Sequence, residues 1–182
     1  MKADFGRVLP IKSKYRKFEL NTVWHLTAAA DRRHGYLTPY EVILTDFETF
    51  EQVFVKEFSE MSKRQRWFNN YLSYMDSLKQ VIGADFVQWI DGSFISRKFN
   101  PNDIDFLTFI DFESYQQHEK EIEKFRLRRY SRKLGTDGCF VKVYPSNHPL
   151  HNIYQIECKR WLFDFTTEYV TKRPKGIIQL NF

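Results

Sequence analysis

Cysteine is scarce, with two residues among 182. Cys139 and Cys158 stand in no spacing that suits a zinc site or a dithiol redox motif, so both are expected to be cytosolic thiols. Long apolar runs are also missing. Nothing approaches the roughly 20 residues a membrane-spanning helix needs, and the start, MKADFGRVLP, has no apolar stretch of the kind a signal peptide carries. The expected setting is the cytoplasm, with no membrane partner. Internal repeats, low-complexity stretches and Gly/Ser/Pro-rich linkers are absent. The length suits one domain spanning residues 1–182. A strong charge imbalance is lacking too: the net charge is +5 and the pI near 9.1.

Aromatic residues are plentiful, at 18% of the chain with 18 phenylalanines, which is far more than a disordered chain carries. Residues 1–44 show no sustained period and are punctuated by Pro10, Gly35 and Pro39, the pattern of loop with short elements. Residues 45–83 read as helices. Thr45 and Glu48 have the spacing of a capping box, Phe47, Phe50, Phe54 and Phe58 share a helical face, and a longer helix buries Phe68, Tyr71, Leu72, Met75, Leu78 and Ile82 before Gly83. Residues 84–145 hold strands near 86–90, 104–110 and 137–144, with a charged helix from a Ser114 cap to about Arg129 between the last two. Residues 146–182 provide a helix near 150–165, packing Ile153, Tyr154, Trp161 and Phe165, and a short strand near 177–180.

Chemistry concentrates in residues 86–111, FVQWIDGSFISRKFNPNDIDFLTFID. An apolar run leads into Gly92-Ser93, and Asp103-Ile104-Asp105 opens the next apolar run. Strand side chains alternate, so Asp103 and Asp105 share one face. Two carboxylates at the mouth of a buried strand are costly unless a cation lies between them. Mg²⁺ suits the position, because it takes one or two carboxylates and completes its shell with phosphate oxygens and water. Gly92 lets the backbone approach a phosphate, and Ser93 adds a hydroxyl and an amide. The residues point to phosphate plus metal.

Gly92-Ser93 followed by Asp103-x-Asp105 resembles the signature of the nucleotidyltransferase superfamily, whose fold is shared with DNA polymerase beta. The fuller wording, DGSF-x-S-x-K-x-x-P-N-D-I-D, is similar to a bacterial family of small stand-alone nucleotidyltransferase-like proteins of unknown function, and Val8-Leu9-Pro10 and Pro174-Lys175-Gly176-Ile177-Ile178 resemble that family's end signatures. The resemblance implies an α+β fold, a nucleotidyltransferase-like mixed β-sheet with helices packed mainly on one face. It also implies a third carboxylate on a neighbouring strand. Asp137 is the best-placed candidate, with Glu157 and Asp164 as fallbacks. The implied reaction transfers a nucleoside monophosphate from an NTP with Mg²⁺ or Mn²⁺ held by Asp103, Asp105 and Asp137, while Gly92 and Ser93 hold phosphates. In better-known small nucleotidyltransferases an Ala-Arg-Gly triplet follows the Gly-Ser after one residue. Here the triplet is Ile95-Ser96-Arg97, which leaves Arg97 and Lys98 as displaced phosphate-binding candidates. The implied acceptor is a protein or a structured RNA such as tRNA, and the implied context is a toxin–antitoxin or defence pair with a cognate toxin or antitoxin protein.

A non-catalytic module of the same fold, binding a nucleotide or a regulated partner, is the alternative. A third reading rests on residues 124–133, KFRLRRYSRK, with six basic side chains and no acid. That run is either a solvated helix end or a patch for triphosphate or RNA. Lys12, Lys14, Arg16 and Lys17 form a smaller basic cluster. Asp91 and Asp111 read as turn or capping residues, Lys175-Gly176 as a turn or a phosphate contact, and His148 and His151 as loop residues rather than zinc ligands.

Overall fold

The structure is a computed structural model that describes residues 35–126 and 134–182. Its centre is a mixed five-stranded sheet in the order β1-β5-β2-β3-β4. In sequence, these strands are β1 (Val42–Leu44), β2 (Val87–Asp91), β3 (Ile104–Asp111), β4 (Thr136–Val143) and β5 (Ile177–Asn181). β1 runs parallel to β5 and β3 parallel to β4, while β2 is antiparallel to both its neighbours. The helices are α1 (Phe47–Glu51), continued by a π-helical turn (Gln52–Lys56), α2 (Arg64–Ile82), α3 (Phe112–Gln117), α4 (Glu119–Arg126) and α5 (His151–Thr166). The chain is therefore an α+β fold with helices packed around a mixed sheet. No helix among the described residues is long and apolar enough to cross a membrane.

The central strands are buried on both faces. On one, Phe106 meets the rings of Tyr71 and Tyr74 from α2. On the other, Trp89 and Phe109 meet edge to face, and neither is exposed. Polar side chains in this core pair with one another, across strands and between helix and sheet. Tyr71 donates to Gln88 Oε1, Gln88 donates to Thr108 Oγ1 at 2.8 Å, and Trp89 Nε1 donates to Gln179 Oε1 at 3.0 Å.

Several local features differ from the sequence reading. The cap of α1 is Asp46, whose carboxylate accepts the Thr49 amide at 2.7 Å, one residue later than the Thr45–Glu48 box. Thr45 instead points inward, its hydroxyl buried. The helix expected from Ser114 starts earlier, because Asp111 accepts the amides of Glu113 and Ser114 at 2.9 and 3.3 Å. It then breaks at His118 into α3 and α4. On α5, Tyr154 and Cys158 are buried one turn apart and set the inward line, so Ile153 turns outward and is 62% exposed.

Asp111→Ala is a small but direct test of the α3 cap. Loss of this carboxylate is expected to cost about 1 kcal/mol, seen as a lower urea midpoint with an unchanged m-value.

Candidate metal and phosphate site

Register places the acids. In the parallel β3–β4 pair Asp105 lies opposite Asp137, and in the antiparallel β2–β3 pair Asp105 lies opposite Asp91. Asp103 stands just before β3. The carboxylate oxygens of Asp103, Asp105 and Asp137 all come within 4.8 Å of one another, a group able to hold a metal ion. All three donors are hard carboxylate oxygens, the type Mg²⁺, Mn²⁺ and Ca²⁺ prefer.

The cluster shows the cost of bringing like charges together. Burial, then the neighbouring Asp103, Asp91 and Asp137 carboxylates, push the Asp105 carboxyl up to about 7, with Lys175 pulling the other way. Burial and Asp137 also raise Asp103, against the pull of Lys98. A bound cation would reverse these effects. Glu157 and Asp164, the fallback acids, are exposed on α5, where Asp164 faces Arg160 at 3.8 Å.

Gly92 turns the chain from β2 into a short 3₁₀ turn, Ser93–Ile95, with φ +80° and ψ −165°. A Cβ at this position would sit 1.6 Å from Asp105 Oδ2, so the turn and the aspartate are in direct contact. Beyond Gly92 opens a cleft of 570 Å³ whose wall includes Ser93, Ser96, Arg97, Lys98 and Lys175. Tyr36, Glu168 and Tyr169 also line it. The aspartates stand outside that wall, and Gly92 is the border shared by cluster and cleft.

The N-terminal half of α2 holds this region in place. Arg64 is buried, and its guanidinium donates to the carbonyls of Phe54 (2.9 Å), Ser96 (2.8 Å) and Lys98 (2.7 Å), and also to that of Phe94. No carboxylate among the described residues pairs with Arg64, and burial lowers its pKa to about 10. Its charge is spread over carbonyls of the loop that follows Gly92 and of the π-helical turn after α1. Trp67 Nε1 donates to the Pro101 carbonyl at 3.0 Å, and Asn70 donates to that of Leu134 at 2.9 Å. The loop before Asp103 and the turn before Asp137 are thus both fastened to one helix face.

The sequence reading missed the role of Arg64. A signal was available, since Lys63, Arg64 and Arg66 at a helix start oppose the macrodipole and need another reason to be there. Asp91 is more than a turn residue: it is 8% exposed and receives Lys175 Nζ at 2.7 Å on both oxygens. His148 packs on Phe112 and Tyr144, and His151 Nδ1 lies 2.7 Å from the Tyr144 carbonyl. Most of the basic run falls at residues 127–133, outside the described residues, as does the cluster of Lys12, Lys14, Arg16 and Lys17. Within the described part, Arg126 closes α4 and pairs with Glu123 at 2.6 Å.

One family model, that of a family of unknown function (DUF6932), matches residues 30–181. The chain belongs to this family. The match spans every described strand and helix, so the aspartate cluster, the Gly92 turn and the Asp91–Lys175 pair all lie within it. No curated protein and no solved structure matches the chain.

Proposed function

We propose that the chain is a nucleotidyltransferase, dependent on Mg²⁺ or Mn²⁺, which moves a nucleoside monophosphate from an NTP to a macromolecular acceptor. The observation that carries this reading is the convergence of Asp103, Asp105 and Asp137 beside the Gly92-Ser93 turn. Apolar packing gives no reason to gather three carboxylates at the head of two adjacent parallel strands. A divalent cation held by them would offset the charge on the phosphoryl oxygens and clamp the attacking and leaving groups.

The residues of the chain then divide the work. Ser93 and the amides beside Gly92 take the β- and γ-phosphates at the cleft, with Arg97 and Lys98 adding charge. Asp137 is the exposed member of the three, which leaves it open to an incoming acceptor. Its carboxylate takes the proton of the acceptor hydroxyl as the new oxygen–phosphorus bond forms at the α-phosphorus. The bond from the α-phosphorus to the bridging oxygen breaks, and pyrophosphate leaves. No covalent enzyme intermediate is required. The acceptor class is a protein or a structured RNA.

The test incubates the protein with each α-labelled NTP, Mg²⁺ or Mn²⁺ and a cell lysate. One NTP is expected to label a discrete protein or RNA, and Asp103→Asn with Asp105→Asn to abolish the labelling. A wild-type protein that labels nothing, yet melts about 5–10 °C higher with a hundredfold excess of metal–NTP over Kd, would instead be a nucleotide-binding regulatory module. If neither labelling nor stabilisation occurs, the nucleotide reading fails.

A further inference from the structure

Lys175 has no part in the chemistry above, yet it lines the same cleft as Ser93 and Lys98. We propose that Lys175 is a polyphosphate-binding residue of this cleft, and that Asp91 is the positioning residue that holds its ammonium there. The proposal rests on the nucleotide reading and adds to it a residue far from the motif in sequence.

The backbone fixes where Lys175 begins. Its amide donates to the Thr166 carbonyl at 2.8 Å, and the next amide, of Gly176, donates to Leu37 at 2.9 Å. Gly176 has no room for a side chain, since a Cβ would lie 2.4 Å from the Pro39 carbonyl. The side chain then runs to Asp91 at the end of β2, and Nζ lies 2.7 Å from each carboxylate oxygen. The lysine side chain is 14% exposed and the aspartate 11%, so the pair is largely shielded from water. A lysine ammonium carries three donors. Asp91 takes two, and the third has no acceptor among the described residues.

The pair also sorts the four acids around the Gly92 turn. Asp91 and Asp105 are direct neighbours across β2 and β3. Lys175 pairs directly with Asp91 and leaves Asp103, Asp105 and Asp137 without an ion-pair partner among the described residues. A cation is thereby steered to those three, and the phosphates of a polyphosphate bound in the cleft would lie between it and the ammonium. A purely structural ion pair would also steer the cation but would make no contact with the phosphates.

The proposal predicts opposite effects on the two ligands. Mn²⁺ binding, followed by electron paramagnetic resonance, and Mn²⁺-supported binding of ATP and of inorganic tripolyphosphate, followed by calorimetry, are compared for wild type, Lys175→Met, Lys175→Arg and the double variant Asp91→Asn/Lys175→Met. Lys175→Met is expected to weaken tripolyphosphate and ATP about tenfold to a hundredfold, the loss of one charge-assisted contact. Binding of Mn²⁺ alone should stay equal or tighten, because Asp91 becomes an additional free carboxylate. Lys175→Arg keeps most of the polyphosphate affinity. The double variant removes the buried pair together, which guards against misfolding from a lone buried charge. It should restore wild-type Mn²⁺ binding and stay weak for polyphosphate.

Equal polyphosphate affinity in wild type and the folded double variant overturns the proposal and leaves the nucleotidyltransferase reading intact. Wild-type binding of tripolyphosphate that depends on Lys175, with no nucleotidyl transfer to any acceptor, sustains the proposal and removes that reading. A wild-type protein that binds neither ATP nor tripolyphosphate overturns both.

Discussion

Gly92→Ala is expected to lower stability by about 2–4 kcal/mol and to remove Mn²⁺ binding at the aspartate cluster. Two effects combine. The backbone at Gly92, φ +80° and ψ −165°, lies in a region essentially reserved for glycine, where a side chain costs on the order of 1–3 kcal/mol. The added methyl would also overlap Asp105, at 1.6 Å from Oδ2 and 2.7 Å from Cγ. The Asp105 backbone is fixed in β3 between Asp91 and Asp137, so only its side chain or the Gly92 turn can give way. The carboxylate therefore leaves the cluster, or the Gly92 turn opens.

Gly83→Ala separates these contributions. Gly83 caps α2 with nearly the same backbone, φ +80° and ψ −170°, but a Cβ there meets nothing within 4 Å. It should show the backbone cost alone and keep wild-type Mn²⁺ affinity. If the two alanine variants bind Mn²⁺ equally well, the contact between Gly92 and Asp105 does not shape the metal site. Melting curves and Mn²⁺ titrations on both proteins decide the matter.

What the sequence made legible was local in origin. Short apolar runs through Phe86–Ile90 and Phe106–Ile110 mark central strands, and the aspartates interrupt that apolar pattern at one end. Burial of apolar side chains on both faces is what such runs demand, and β2 and β3 follow it. Asp137 was visible as the acid opening the next strand, and parallel pairing of β3 with β4 sets it opposite Asp105. Element edges were harder, because several capping side chains compete within a few residues. Thr45, Asp46 and Glu48 all suit the start of α1, and tertiary burial of Thr45 decides for Asp46. Ile153 was misplaced because α5 is apolar on more than one side, so spacing alone does not reveal which line faces inward.

The partners of the groups that support the site were illegible for a different reason. Arg64 reaches carbonyls 30 to 34 residues away at Phe94, Ser96 and Lys98, and Lys175 meets Asp91 across 84 residues. No period or motif in a single sequence encodes such pairings. They depend on β5 lying beside β2 and on α2 packing across the loop after Gly92. The sequence thus displays the groups that would meet a ligand more openly than the groups that hold them.

The pH dependence of the metal-free protein should report the charge crowding at Asp105. Its carboxyl rises from an ordinary 3.8 to about 7, with burial as the main cause and the neighbouring acids next. Between about pH 4 and pH 7 the folded protein therefore keeps a proton that the unfolded chain has already lost. Where the folded state binds more protons, stability falls as pH rises. The metal-free protein should lose stability through this window and level off above it. Each tenfold change in proton affinity between the folded and unfolded chain is worth about 1.4 kcal/mol, so the loss from Asp105 is on the order of 2–4 kcal/mol. Asp105→Asn keeps the shape and removes the titration. Its stability, subtracted from that of wild type across the pH range by urea denaturation, reports this group together with its coupling to the neighbouring acids. The variant should be close to wild type at pH 4 and more stable at pH 8. Mn²⁺ should then stabilise the wild type at pH 8, where the carboxylates are ionised, much more than at pH 5, where protons compete for them, and should have little effect on the variant. A difference curve that stays flat from pH 4 to 8 would mean that Asp105 ionises as an ordinary carboxyl, and that the cluster carries no stored repulsion for a cation to relieve.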